Sequence, residues 1–90
     1  MNKSKLNIRM DLMRVAKIAL ELDKPFEENI ANVFINKARS EFEENLKDEN
    51  KLKDELISYQ KEIPIIALDT KKRKQWGEKI MTIASRLGTF

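Results

Sequence analysis

The side chains of this 90-residue chain with the densest potential for chemistry are carboxylates: Glu41, Glu43 and Glu44, then Asp48, Glu49, Asp54 and Glu55. Clustered carboxylates serve general acid–base work or metal binding, and a di-metal helical bundle combines them with histidine as inward-facing Glu-x-x-His pairs. The chain has no His and no Cys. That removes the commonest general base, the thiolate nucleophile and the commonest metal ligands. Gly77 and Gly88 stand alone, so nothing resembles a phosphate-cradling loop. The acidic cluster is therefore expected to be solvated helix surface, and the chain is expected to have no catalytic residue, metal site or cofactor.

The basic run Lys71-Lys72-Arg73-Lys74, followed by Trp76, offers a different chemistry. Four cations in sequence can contact phosphates, and an aromatic nearby can stack on bases. The same residues also read as a solvated first helical turn whose Trp76 is core. Cations at a helix start oppose the helix dipole, a small cost that points to a use. A third set, Phe26, Phe34, Phe42 and Trp76, could line a cavity for an acyl chain, although aromatics at helical spacing are more often plain core.

Composition bounds these options. Hydrophobic residues make up 41% of the chain and charged residues 37%, with only two Gly and two Pro. A core is affordable, whereas a turn-rich β fold or a disordered chain is not. Charge is segregated along the sequence, with residues 1–20 at net +4, residues 21–69 at −6 and residues 70–90 at +5. A basic–acidic–basic chain can fold its ends against its middle, or present a basic face to an acidic partner. No apolar run approaches the roughly 18 residues that cross a bilayer. Arg9, Asp11, Arg14 and Lys17 interrupt the N-terminal region, unlike a signal peptide. A secreted domain of this size usually carries disulfides. These features predict a soluble, intracellular protein.

The elements that must position these groups are helices. Ile8, Leu12, Val15, Ala19 and Leu22 recur at steps of four and three, which predicts a helix over about 6–22, ended by Asp23-Lys24-Pro25. Pro25 suits the first turn of a second helix reaching to Phe42 or Asn45. Its apolar residues Phe26, Ile30, Val33, Phe34, Ala38 and Phe42 wind around it, as expected of a central helix touching two neighbours. Leu46 to Asn50 reads as a polar connection in which Asp48 or Asn50 caps a third helix over about 50–62. Pro64-Ile65-Ile66-Ala67-Leu68 reads either as an apolar connection pinned to the core or as the first turns of the last helix. Asp69 or Thr70 then caps a helix bearing Trp76, Ile80, Ile83 and Leu87, with Gly88 as its stop. Residues 1–90 are thus expected to form a single all-α domain, a small antiparallel bundle of three to four helices. Phe34, Phe42, Ile80 and Ile83 are predicted to be largely buried.

Phe34-Ile35-Asn36-Lys37-Ala38-Arg39-Ser40-Glu41-Phe42-Glu43-Glu44-Asn45 resembles the second helix of the LYR-motif (complex 1 LYR-like) family of small mitochondrial adaptor proteins. That family typically shows Ala-Arg-x-x-Phe-x-x-Asn there, with its Leu-Tyr-Arg signature upstream near the start of helix one. Leu12-Met13-Arg14 occupies the matching place, Met13 standing for the signature tyrosine. The resemblance covers roughly residues 8–62. It implies a three-helix bundle that binds an acylated acyl-carrier protein in the mitochondrial matrix. The acyl chain would enter the bundle, and Leu12, Met13, Arg14, Arg39 and Phe42 would carry the contact, with Arg14 and Arg39 on one accessible face.

Three non-enzymatic functions follow. The first is an adaptor or regulator that binds an acidic protein partner, in its most specific form an acyl-carrier protein. The second is a basic nucleic-acid-binding regulator using Lys71, Lys72, Arg73 and Lys74. The third is a phage or bacterial inhibitor of one host protein. Self-association is compatible with all three, and outside the mitochondrial reading the compartment would be the cytoplasm.

Overall fold

The computed structural model describes residues 2–87. The chain runs through α1 (Lys3–Leu20), α2 (Glu28–Asn45), a 3-10 turn (Lys47–Glu49), α3 (Asn50–Lys61), a single turn α4 (Ile63–Ile66) and α5 (Thr70–Arg86). Among the described residues there is no strand. The four long helices form an antiparallel bundle measuring 35 × 21 × 18 Å, as the hydrophobic periodicity predicts.

Each boundary has a local cause. Asn2 caps α1, its side chain accepting from the Lys5 amide at 3.1 Å, so the helix begins at Lys3, five residues before the apolar stripe opens at Ile8. Asp69 caps α5 by accepting from the Lys72 amide at 3.0 Å, one of the two predicted caps. α2 begins at Glu28 rather than Pro25, and α3 has no side-chain cap from Asp48 or Asn50. Instead the 3-10 turn leads into α3, the Glu49 amide bonding back to the Leu46 carbonyl at 3.0 Å. Leu46, expected in a polar connection, is buried and pins that corner to the core. Gly88, the expected stop, lies outside the described residues.

The buried stripe of α1 is Ile8, Leu12, Val15, Ala16 and Ala19, as its spacing requires. Leu22 lies beyond the helix end and is exposed. α2 buries Ala31, Ile35, Ala38 and Phe42, again at steps of four, three and four. This corrects the expected face. Ile30 and Val33 are exposed and Phe34 is only half-buried, because Ile35 takes the inward position one residue on. Phe42, Ile80 and Ile83 are fully buried as predicted.

α2 touches two neighbours, α1 and α3, as expected; α1 does so as well, packing more extensively against α2 and α5, and α3 closes the bundle across α2 and α5. Close approach of α1 and α5 depends on Gly77. A Cβ there would stand 2.9 Å from Leu20 Cγ and 3.1 Å from Ala19 Cβ, which explains a glycine inside a helix where alanine is intrinsically better.

The segment 63–68 is the apolar connection pinned to the core, not the first turns of the last helix, since its single helical turn ends at Ile66 and α5 starts afresh from the Asp69 cap. Ile63 and Ile66 are buried, pinning α4 to the core, while Pro64, Ile65 and Leu68 stay outside. The basic ends also fold onto the acidic middle. Lys5 Nζ lies 3.8 Å from Glu49 Oε1, and Arg86 Nη1 lies 2.8 Å from Glu55 Oε2.

Candidate functional site

The carboxylates behave as surface. Glu41 accepts from the side-chain amides of Asn7 and Asn45, Glu49 and Glu55 hold the ion pairs above, and Glu43, Glu44, Asp48 and Asp54 are exposed. Among the described residues, no three acidic side chains gather as metal ligands would.

The run 71–74 is split by its helix. Lys71, Lys72 and Lys74 face solvent, but Arg73 is buried, with 6% of its surface exposed. Its guanidinium reaches the end of α1 and donates four hydrogen bonds to main-chain oxygens. Nε bonds Ala19 at 2.8 Å, Nη1 bonds Lys24 at 2.7 Å, and Nη2 bonds Ile18 at 2.8 Å and Glu21 at 2.7 Å. The Ile18 and Ala19 carbonyls belong to the last turn of α1, which leaves them without intrahelical partners, while Glu21 and Lys24 lie at and beyond its end. A cation there also complements the negative end of the helix dipole. The expected four-residue phosphate cluster therefore reduces to three lysines, because Arg73 is committed to closing α1.

The aromatic set is divided: Phe26 packs on Trp76, Phe42 is core, and Phe34 lies half-buried beside Arg14 and Lys37. Trp76 is buried, and its Nε1 donates to the Tyr59 carbonyl at 2.8 Å. Phe26 meets the Trp76 ring edge to face, with centroids 5.7 Å apart, and the Arg73 guanidinium lies 5.4 Å from the Phe26 ring. Trp76 is core rather than a base-stacking platform.

The residues singled out by the family resemblance are divided. Leu12 and Phe42 are sealed in the core, whereas Met13 and Arg14 are exposed. Arg14 stands on the α1 side of α2, bonded to Asp11 Oδ1 at 3.1 Å and 5.3 Å from the Phe34 ring centroid. Arg39 lies on the α3 side, its Nη1 donating to Gln60 Oε1 at 2.9 Å. The Gln60 amide in turn donates to Asn32 and Asn36. The two arginines thus occupy opposite flanks of α2, contrary to the expectation of one shared face. The cause is helix phase: with Ala31, Ile35, Ala38 and Phe42 inward, Phe34 and Arg39 project to opposite flanks.

What the structure does assemble is an open groove of about 620 Å³ between α1 and α2, lined by Asn7, Met10, Asp11 and Arg14 on one side and Val33, Asn36, Lys37, Ser40 and Glu41 on the other. Lys37 Nζ lies 5.6 Å from the Phe34 centroid, so Lys37 and Arg14 converge on one ring. Met10 is 46% exposed and Val33 52%. Burial raises the Asp11 carboxyl above its usual range, against the opposing pull of Arg14 and Lys37. Charge is graded along the groove. Arg14 and Lys37 mark the end beside Phe34, with Lys17 and Ile30 one turn beyond on their helices, while Glu41 and Asn7 mark the other. Sequence reasoning missed Lys37 and Val33, whose signal was that both share a helical side with Ile30, away from Ala31 and Ile35.

No protein-family model, curated protein or solved structure matches this chain, so the groove is interpreted from its own residues.

Proposed function

We propose that this chain is a non-catalytic binding protein that docks an acidic segment of a partner protein along the α1–α2 face. The observation that carries the reading is the convergence of Arg14 and Lys37 on Phe34, beside exposed Met10 and Val33. Apolar side chains standing in water next to cations suit an amphipathic helix with acidic flanks. Its apolar residues would cover Met10, Val33 and Ile30, and its carboxylates would meet the basic end of the groove. Methionine adapts its shape to a docked surface at small cost. The groove's own carboxylates do not stand bare in the way, since Asp11 is bound to Arg14 and Glu41 to two amides.

The acyl-carrier form of this reading draws support from Arg14 and from the side-by-side packing of α1 and α2. It must do without Arg39, which is bound to Gln60.

Charge reversal tests the face. Proteins captured from the source cell by the parent chain should be lost with Arg14→Glu plus Lys37→Glu and retained with Lys71→Ser plus Lys72→Ser. Association should slow as ionic strength rises, because exposed charges are screened within about 10 Å at ordinary salt. Capture that the groove variant leaves unchanged overturns the reading. Calorimetry against an acyl-carrier protein, acylated and unacylated, tests the specific form, and silence with both removes it while leaving the general reading intact.

A further inference from the structure

Residues 63–68 form the longest unbroken apolar run in the chain, yet the fold uses only part of it. Ile63 and Ile66 anchor α4 in the core, and the turn is fixed by main-chain bonds from Ala67 to Ile63 and from Asp69 to Ile66, both 3.1 Å. On this rigid support Ile65 is 62% exposed and Leu68 92%. Ile65 belongs to α4 and Leu68 to the turn just beyond it, so the two bare side chains lie close together in the short connection to α5. Leu68 is the barest large hydrophobic residue among those described.

The corner is also basic. Lys71 and Lys72 follow Leu68 in the first turn of α5, where cations oppose the helix dipole. Lys72 and Lys79 border a shallow hollow beside Ile65 and Glu62. None of the ion pairs among the described residues uses Lys71, Lys72 or Lys79. Of the nearby acids, Asp69 is occupied with capping the Lys72 amide.

We infer that the α4–α5 corner is a contact site for an anionic lipid surface, with Ile65 and Leu68 entering the headgroup–acyl boundary and Lys71, Lys72 and Lys79 meeting lipid phosphates and carboxylates. Aliphatic side chains protruding from a convex corner gain nothing from a phosphodiester backbone, and they find no walls to bury them as they would in a protein groove. A bilayer boundary supplies both an apolar phase for the tip and negative charge for its flanks. The lysines are compact point charges rather than the forked guanidiniums that read nucleic acids bidentately, and the one arginine of the run is turned inward. The inference is independent of the α1–α2 face.

Co-sedimentation of the full chain with vesicles decides it. The protein should pellet with phosphatidylcholine vesicles containing phosphatidylserine, stay in solution with phosphatidylcholine alone, and be released by added salt. Lys71→Ser with Lys72→Ser should lower the partition coefficient about thirtyfold, from the attraction typical of each lysine near an anionic surface. Ile65→Ser with Leu68→Ser should also abolish pelleting while the melting temperature stays that of the parent. No pelleting with anionic vesicles overturns the inference, as does pelleting that the Ile65/Leu68 variant retains. Tight binding to duplex DNA lost with the lysines but kept by the Ile65/Leu68 variant also overturns it, assigning the lysines to nucleic acid instead.

Discussion

Arg73 Nε donates to the main-chain oxygen of Ala19 at 2.8 Å, across 54 positions of sequence. Together with the bonds to Ile18, Glu21 and Lys24, this side chain terminates α1 and shapes the connection to α2. Removing it takes the side-chain donor from carbonyls in a partly buried corner, and hydrogen bonds to a charged donor are worth about 1.5–3 kcal/mol each at most, with losses that do not add. Arg73→Ala should therefore destabilise the fold by about 3 kcal/mol in denaturant titrations. Arg73→Lys should recover less than half of this, since an ammonium cannot span four acceptors as the planar fork does. The same substitution of the adjacent Lys74 should leave stability within about 0.5 kcal/mol of the parent, as is usual at exposed positions.

Phe42 and Phe34 lie two helical turns apart and should respond differently. Phe42 is 1% exposed and packs in the centre, so Phe42→Ala should cost about 3–5 kcal/mol. Phe34 rests against the outside of the core beneath Arg14 and Lys37. Phe34→Ala should cost well under half as much, about 1–2 kcal/mol, the cation–ring contacts contributing roughly 0.5–1 kcal/mol at such sites. Thermal melts of the two variants check this, and equal losses would mean that Phe34 is core after all.

Asp11 gives the groove a pH signature. Burial raises its folded-state carboxyl above the unfolded value, so the native state holds that proton more tightly than the unfolded chain. Stability from this group is present at acid pH and is lost as pH rises from the unfolded value through the folded one. Asp11→Asn should remove that loss. Its stability relative to the parent should improve across the carboxylate range and then level off, as read from chemical denaturation at a series of pH values. A parent-to-variant difference that is flat with pH contradicts the assignment.

The bundle, its helix order and three of the four predicted core residues were legible because α1 and α5 each carry one unambiguous stripe. α2 was harder. It bears two overlapping apolar sides, and Ile30, Val33 and Phe34 lie on the outer one while Ile35 and Phe42 lie on the inner. The inner stripe relies on Ala31 and Ala38, whose small side chains let α1 approach but weigh little in a hydrophobicity pattern. Arg73 was hidden among lysines, although its position three residues before Trp76 and seven before Ile80 sets it on the buried stripe of α5. Charge suggested solvent, whereas phase indicated the core. The separation of Arg14 from Arg39 follows from the same ambiguity in α2, because rotating that helix by one residue exchanges which groove each side chain faces.

The dependence of α1 on Arg73 also sets an order of events during synthesis. α1 leaves the ribosome about fifty residues ahead of the side chain that closes it, a delay of a few seconds at ordinary elongation rates. Through that interval its apolar stripe has only α2 to lie against, and its last carbonyls must be served by water. A nascent chain halted before α5 therefore has α1 and α3 on either side of α2 and an open flank along α1, exposed to chaperones and to pairing with another chain in the same state. The protein completes its first helix only when its last one arrives.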